Sequence, residues 1–111
     1  MIEITVERLK QASVVTIAGE IDAISAALVQ ERVLPISVSG CKIILDMSKV
    51  AYMSSAGLRI LLSIYRQISS NQGKLILVGL SEELKETMSM TGFLDYFTIR
   101  DTLEMGFQVF G

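Results

Sequence analysis

Short apolar runs rich in Ile, Val and Leu alternate with stretches of helical periodicity along most of the chain, and this alternation constrains the fold most strongly. Only the polar pair Lys10–Gln11 separates the first two runs, which favours a hairpin turn. Each later run follows a helical stretch, so the chain must cross over the sheet and consecutive strands lie parallel. The predicted strands are Ile2–Glu7, Ser13–Ala18, Cys41–Asp46, Lys74–Val78 and Tyr96–Ile99.

Four helices are predicted between and after these strands. Asp22, Ser81 and Asp101 have the short acceptor side chains that suit a helix N-cap, and a further helix begins at Ser54–Ser55. The order is ββαβαβαβα. It predicts an α/β fold with one mixed sheet, in which an N-terminal β-hairpin is followed by parallel strands and the helices pack mainly on one face.

The spacing of apolar residues predicts which face of each helix is buried. In the first helix, Ile24, Ala27 and Leu28 fall at positions i, i+3 and i+4. Ile60 and Ile64 lie beside the apolar stripe of the second helix. Either that apolar face is broad, or these two residues form an exposed patch that a partner covers. The stripe itself consists of Leu58, Leu61, Leu62, Tyr65 and Ile68.

Composition excludes several classes of function. The 111 residues suffice for a single domain, residues 1–111, and the net charge of -2 does not favour nucleic acid or an anionic membrane as a partner. The chain has no histidine, and its single cysteine, Cys41, predicts a buried thiol in a reducing compartment. No signal-peptide pattern opens the sequence and no apolar run approaches the roughly 20 residues that span a bilayer, so we expect a cytoplasmic location. With no phosphate-binding glycine loop and no metal-ligand cluster, we expect no cofactor, no metal and no enzymatic activity.

One segment, from Leu45 to Leu62, places a hydroxyl-rich loop between a buried strand and an amphipathic helix. A phosphate on a serine in the first turn would add about -1.5 to -2 charges where the helix dipole tolerates them. A partner docked over the loop need not tolerate that charge. From local chemistry alone, the favoured explanation is that Ser54 or Ser55 is an N-cap and that Gly57 allows close packing against the sheet.

The same segment resembles the signature of the STAS family of anti-sigma factor antagonists, which reads approximately D-L-S-x-V-x-x-M-D-S-S-G-L-x-x-L. A second motif, Gly19-Glu20-Ile21-Asp22, resembles the family's G-E-[LI]-D at the end of the second strand. The order of strands and helices also agrees with that family from end to end. The matching positions of the first motif are Asp46, Ser48, Val50, Met53, Ser55, Gly57, Leu58 and Leu61.

The resemblance implies that Ser55 is the residue that a partner kinase phosphorylates. Ser54 stands where the family has aspartate, which makes it an alternative acceptor, and Ala56 stands where the family has a second serine. Asp22 has two compatible roles, as an N-cap and as part of the docking surface. Asp46 is interpreted as an organiser of the loop. The implied partner-binding residues are Asp22, Ser54, Ser55, Ala56, Gly57 and Arg59.

The resemblance further implies a function in transcription regulation. The unphosphorylated chain would bind an anti-sigma factor that is also a serine kinase, phosphorylation would weaken the complex, and a PP2C-type phosphatase would reset it. The expected oligomeric state is a monomer or a weak dimer. The alternative is a non-switching STAS scaffold in a larger signalling assembly. A small enzyme or nucleotide-binding protein is disfavoured by the missing histidine and glycine loop.

Overall fold

The strands of the computed structural model, which describes residues 2–110, form one sheet in the order β1-β2-β3-β4-β5. Only β1 and β2 pair antiparallel, and each later neighbour pairs parallel. These pairings confirm the predicted α/β class and the N-terminal hairpin. The strands are β1 Ile2–Arg8, β2 Ser13–Ile21, β3 Lys42–Met53, β4 Lys74–Val78 and β5 Thr98–Arg100.

Three of the four α-helices cover one face of the sheet, as the sequence predicts. The main core lies between these helices and the inward side chains of the strands, and it includes Ile17, Leu45, Leu58 and Leu77. The fourth helix packs on the opposite face, over Ile44 and its neighbours. The helices are α1 Ala23–Val33, α2 Ser55–Ser70, α3 Glu82–Met90 and α4 Leu103–Val109, with short 3-10 turns at Leu34–Ile36 and Leu94–Tyr96.

The buried face of α1 differs from the prediction. Ile24 is 78% exposed and Leu28 is 44% exposed, whereas Ser25 is 8% exposed. The capping box at the start of the helix explains the difference, because it turns Ser25 toward the protein and rotates the predicted face outward. The residues that α1 buries are Ser25, Ala26, Val29 and Val33.

Two strands are longer than predicted. β2 continues past Ala18 to Ile21, and β3 continues past Asp46 to Met53 through the segment expected to be a loop. Pairing of β3 with β4 stops at Asp46, so the rest of β3 pairs with β2 alone, across two register shifts. Hydrogen bonds to β2 therefore keep the polar residues after Asp46 in a strand, although their sequence pattern predicted a loop.

Two further boundaries differ from the prediction by one or two residues. The N-cap of α4 is Thr102 and not Asp101, since the Thr102 hydroxyl accepts the backbone N–H of Met105 at 3.2 Å. The edge strand β5 begins at Thr98, two residues later than expected. Cys41 is buried as predicted, and burial raises the pKa of its thiol. No helix among residues 2–110 is long and apolar enough to cross a lipid bilayer.

Candidate functional site

Strands β2 and β3 end side by side, and a helix begins directly after each of them. Ile21 pairs with Met53 in the parallel register, and the backbone N–H of Ser54 donates a hydrogen bond of 2.8 Å to the Ile21 carbonyl. The N-termini of α1 and α2 therefore lie at one edge of the sheet. This arrangement brings the backbone of Asp22 close to the Ser54–Ser55 segment, at one end of the sheet.

Asp22 is the N-cap of α1 and forms a complete capping box with Ser25. Its carboxylate accepts the backbone N–H of Ser25 at 2.9 Å, and the Ser25 hydroxyl accepts the backbone N–H of Asp22 at 2.8 Å. The hydrogen bonds from Ser25 lower the pKa of the Asp22 carboxyl, because they favour its charged form. The exposed carboxylate thus stays ionised at the start of α1.

Ser54 and Ser55 have different roles at the start of α2. Ser54 is the N-cap, and its hydroxyl accepts the backbone N–H of Gly57 at 3.0 Å. Ser55 is the first residue of the helix and is exposed, and the side-chain hydrogen bonds found across residues 2–110 include none from its hydroxyl. The Ser55 hydroxyl is therefore open to a reagent, while the Ser54 hydroxyl is engaged.

Gly57 holds the start of α2 against the end of β2. A Cβ atom at this position would lie 2.8 Å from the Ile21 carbonyl oxygen and 3.0 Å from the Ile21 Cγ2 atom. A backbone carbonyl that already accepts the Ser54 N–H cannot swing away as a side chain can. The sequence-based reading of Gly57 as a close-packing residue is confirmed.

The remaining predicted site residues lie on the first turns of α2. Ala56 is half-buried, and Arg59 is exposed one turn after Ser55. Ile64 is 2% exposed, so the proposed patch of Ile60 and Ile64 is not a free surface and the alternative of a broad apolar face is correct. Met53, which directly precedes Ser54, is also buried.

Asp46 organises the backbone below the site, as the sequence predicts. Its carboxylate accepts the backbone N–H of Ser48 at 3.0 Å and the Ser48 hydroxyl at 2.7 Å. Gly79 lies against Ser48 from the neighbouring strand end, with a positive φ of 75° that favours glycine. These contacts fix the segment of β3 that diverges from β4 and leads to Ser55.

A shallow depression of about 190 Å³ beside Ser55 was missed by sequence reasoning. One wall is the end of β3, where Tyr52 is 54% exposed, and the other is the first turn of α3. In the sequence, the available signal was the aromatic residue Tyr52. Its position opposite α3 depends on how the helices pack, which the sequence pattern does not show. The depression is lined by Ala51, Tyr52, Met53, Ser55, Leu58, Glu83, Leu84 and Thr87.

The lowered pKa of Asp22 gives the protein a pH dependence that can be isolated. A carboxyl whose pKa is lower in the folded state stabilises the fold above its unfolded value of about 3.9, and that contribution is lost as pH falls through the folded pKa. Asp22→Asn keeps a capping side chain without titration. We expect the difference in urea midpoint between wild type and Asp22→Asn to be constant above about pH 5 and to shrink below about pH 4. A difference that is the same at every pH would contradict this role for Asp22.

Comparisons with known proteins identify the family of the chain. The family profile described as STAS domain matches residues 3–105. The anti-sigma-B factor antagonist of Bacillus subtilis is 34% identical over 94 residues, which cover 85% of this chain and 86% of the relative.

Solved structures show the same fold. An anti-sigma factor antagonist from Mycobacterium paratuberculosis matches with a TM-score of 0.85 and 25% identity, covering 99% of this chain and 94% of the other. The antagonist SpoIIAA matches in its unphosphorylated form with a TM-score of 0.76 and in its phosphorylated form, from Bacillus, with 0.71. Both forms are 18% identical and cover 96% of this chain, with 96% and 98% of the other chain covered. The chain belongs to the STAS domain family of anti-sigma factor antagonists.

Proposed function

We propose that this protein is an anti-sigma factor antagonist switched by phosphorylation of Ser55. In its unphosphorylated form it binds an anti-sigma factor that is also a serine kinase, and so frees a sigma factor for transcription. A PP2C-type phosphatase removes the phosphate and resets the switch. The protein acts as one domain in the cytoplasm, as a monomer or weak dimer, and has no catalytic activity of its own.

One observation carries the choice of Ser55. Its hydroxyl is exposed at the first position of α2, whereas the neighbouring Ser54 hydroxyl is occupied by the Gly57 N–H. In the transfer step, the Ser55 oxygen forms a bond to the γ-phosphorus of ATP, ADP leaves, and the hydroxyl proton is released. Phosphorylation of Ser54 would instead modify the oxygen that caps α2, a contact that contributes about 1 kcal/mol to helix stability.

The added charge acts on the complex rather than on the fold. A phosphate on Ser55 lies at the positive end of the α2 dipole, so the helix tolerates it. A partner surface packed over Ser55 instead meets about -1.5 to -2 new charges that must be desolvated or repelled. The family resemblance supports Asp22, Ser54, Ala56, Gly57 and Arg59 as the rest of the proposed docking surface.

A phosphorylation assay tests the acceptor. The purified chain is incubated with its anti-sigma factor kinase, Mg²⁺ and ATP, and the modified residue is mapped by tandem mass spectrometry. We expect wild type and Ser54→Thr, which keeps a capping hydroxyl, to be phosphorylated at Ser55, and Ser55→Ala to remain unmodified.

Two results would contradict the proposal. Normal phosphorylation of Ser55→Ala would move the acceptor to Ser54. A stable complex with the kinase that neither acquires phosphate nor dissociates with ATP would instead support the non-switching scaffold. Circular dichroism of each variant establishes that the fold is intact before the assay.

A further inference from the structure

A groove runs along the outer edge of the sheet between β1 and α1. Its upper part, of about 350 Å³, lies near the N-cap of α1, and its lower part, of about 260 Å³, lies along the following turns. Ile2 and Leu28 line both parts, so the two are continuous. The helix layer thus stops short of the sheet edge, and the inward side chains of β1 are only half-buried.

The outer face of α1 presents apolar side chains to this groove. Ile24 and Leu28 are one turn apart and are 78% and 44% exposed, and Arg32 continues the same row by another turn. Together with Ile2 and Ile4 they form an apolar strip on a helix and a strand that no other described element covers. Large apolar side chains grouped in this way mark an interaction surface.

An added strand could not pair with the middle of β1 as it stands, because a side chain already occupies a carbonyl there. The Arg32 guanidinium donates a hydrogen bond of 3.1 Å to the Ile4 carbonyl, so that carbonyl is already engaged. An incoming strand would have to displace this bond before it could pair with β1. A helix needs no backbone partner from the edge, and it would continue the helix layer beyond α1.

The rim of the groove selects the charge of the occupant. Glu20, Asp22 and Glu31 line it with exposed carboxylates, against the single cation Arg32. The ion pairs found within residues 2–110 both involve Lys85, so no cation within those residues neutralises these carboxylates, although that of Asp22 also caps α1. A second copy of the chain seated by a two-fold axis would bring the same acidic rims together, which is unfavourable.

We propose that this groove, defined by Ile2, Ile4, Ile24 and Leu28, docks an amphipathic helix of a partner protein. The apolar face of that helix packs on the strip, and Lys or Arg residues beside it meet Glu20, Asp22 and Glu31. This surface shares Asp22 with the docking surface proposed around Ser55, whereas its apolar strip lies on β1 and α1 and includes no residue of α2. It requires only that the partner present a basic helix with apolar anchors at i, i+3, i+4 and i+7.

Binding of a designed peptide tests the groove directly. The probe is a helical peptide of about 18 residues with Leu at those anchor positions and Lys elsewhere, titrated into the ¹⁵N-labelled full chain. Its matched control keeps the Leu positions and replaces Lys by Glu. We expect amide shifts centred on Ile2, Ile4 and Leu28 with the basic peptide only, and weaker binding as salt rises.

Substitutions separate groove binding from non-specific attraction. Ile24→Lys and Leu28→Lys are expected to weaken the basic peptide by about tenfold, since each removes an apolar contact and adds a like charge. Met90→Lys, at a position 81% exposed on α3, adds the same charge elsewhere and should leave the affinity unchanged. Equal binding of both peptides, or shifts centred on another face, would overturn the proposal. Groove shifts that grow with protein concentration alone would also overturn it, in favour of a second copy.

Discussion

Gly57→Ala is expected to lower the free energy of unfolding by about 1–2 kcal/mol, although alanine is the better helix former. The added methyl group would sit 2.8 Å from the Ile21 carbonyl oxygen, so α2 must move away from β2. Overpacking of this kind costs about 1–3 kcal/mol, and the gain in helix propensity returns at most about 1 kcal/mol. Thermal unfolding should therefore shift downward by roughly 5–15 °C.

A second helical glycine provides the matched control. At Gly106 in α4 the nearest atom to an added Cβ is Val78 Cγ1 at 2.9 Å, which belongs to a side chain and not to the backbone. Gly106→Ala should cost less than Gly57→Ala, because a side chain can adjust where a hydrogen-bonded carbonyl cannot. Differential scanning calorimetry of both variants makes the comparison. A Gly57→Ala protein as stable as wild type would refute the close-packing role of Gly57.

The movement of α2 that Gly57→Ala would cause also affects the candidate site. The carbonyl that a Cβ at position 57 would strike is the one that accepts the Ser54 N–H, so moving α2 also disturbs the segment that presents Ser55. Gly57 thus connects packing to function: the residue that permits close approach also sets the position of the proposed acceptor.

The class of fold and the helix starts that follow β2 and β3 were predictable because they depend on local signals. Apolar runs, turn residues and caps identify strands and helix starts, and the parallel arrangement follows from the crossovers. Since strands β2 and β3 are parallel neighbours, whatever follows each of them meets at one edge of the sheet. The family resemblance implied that Asp22 and the Ser55 segment share this end of the sheet, and the pairing of β2 with β3 is the physical reason.

The buried face of α1 was not predictable, because its sequence contains two overlapping apolar stripes. Ile24, Ala27 and Leu28 form one, and Ala26 with Val29 begins the other. Only the capping box and the contact with the sheet decide between them, and these depend on the rotation of the helix in the fold. The stripe that stays exposed lines the groove beside β1. The helix face that was wrongly predicted to be buried is therefore part of that groove.

The extension of β3 was missed for a different reason. Ser48 and Lys49 break the apolar pattern, and polar residues after a buried run ordinarily indicate a loop. Here β2 supplies hydrogen bonds across an irregular register, and the Asp46 carboxylate holds the Ser48 N–H. A strand supported by one neighbour and a side-chain contact leaves no signal in hydrophobic periodicity.

Ser55→Asp is expected to weaken binding of the anti-sigma factor kinase by about 10- to 100-fold, equivalent to about 1.4–2.8 kcal/mol. The carboxylate places a permanent charge where the proposed complex requires an uncharged hydroxyl, and the partner must desolvate or repel it. The fold should be unaffected or slightly stabilised, since an acidic residue in the first turn of α2 gains about 0.3–1 kcal/mol from the helix dipole. Binding and stability are therefore expected to change in opposite directions.

Two measurements on the same preparations test whether Ser55→Asp weakens binding while it leaves stability unchanged or raised. Isothermal titration calorimetry gives the Kd for the kinase without ATP, and calorimetric melting gives Tm. Ser63→Asp is the matched control, because Ser63 is exposed on the same helix two turns further on, away from the strand ends.

If Ser55→Asp bound as tightly as Ser63→Asp, charge at Ser55 would not control the complex. If Ser55→Asp lost affinity and melted at a much lower temperature, unfolding would explain the loss in place of a switch. A weakened complex with an unchanged or higher Tm would leave the charge at the surface of α2 as the cause, because the fold that presents it has not changed.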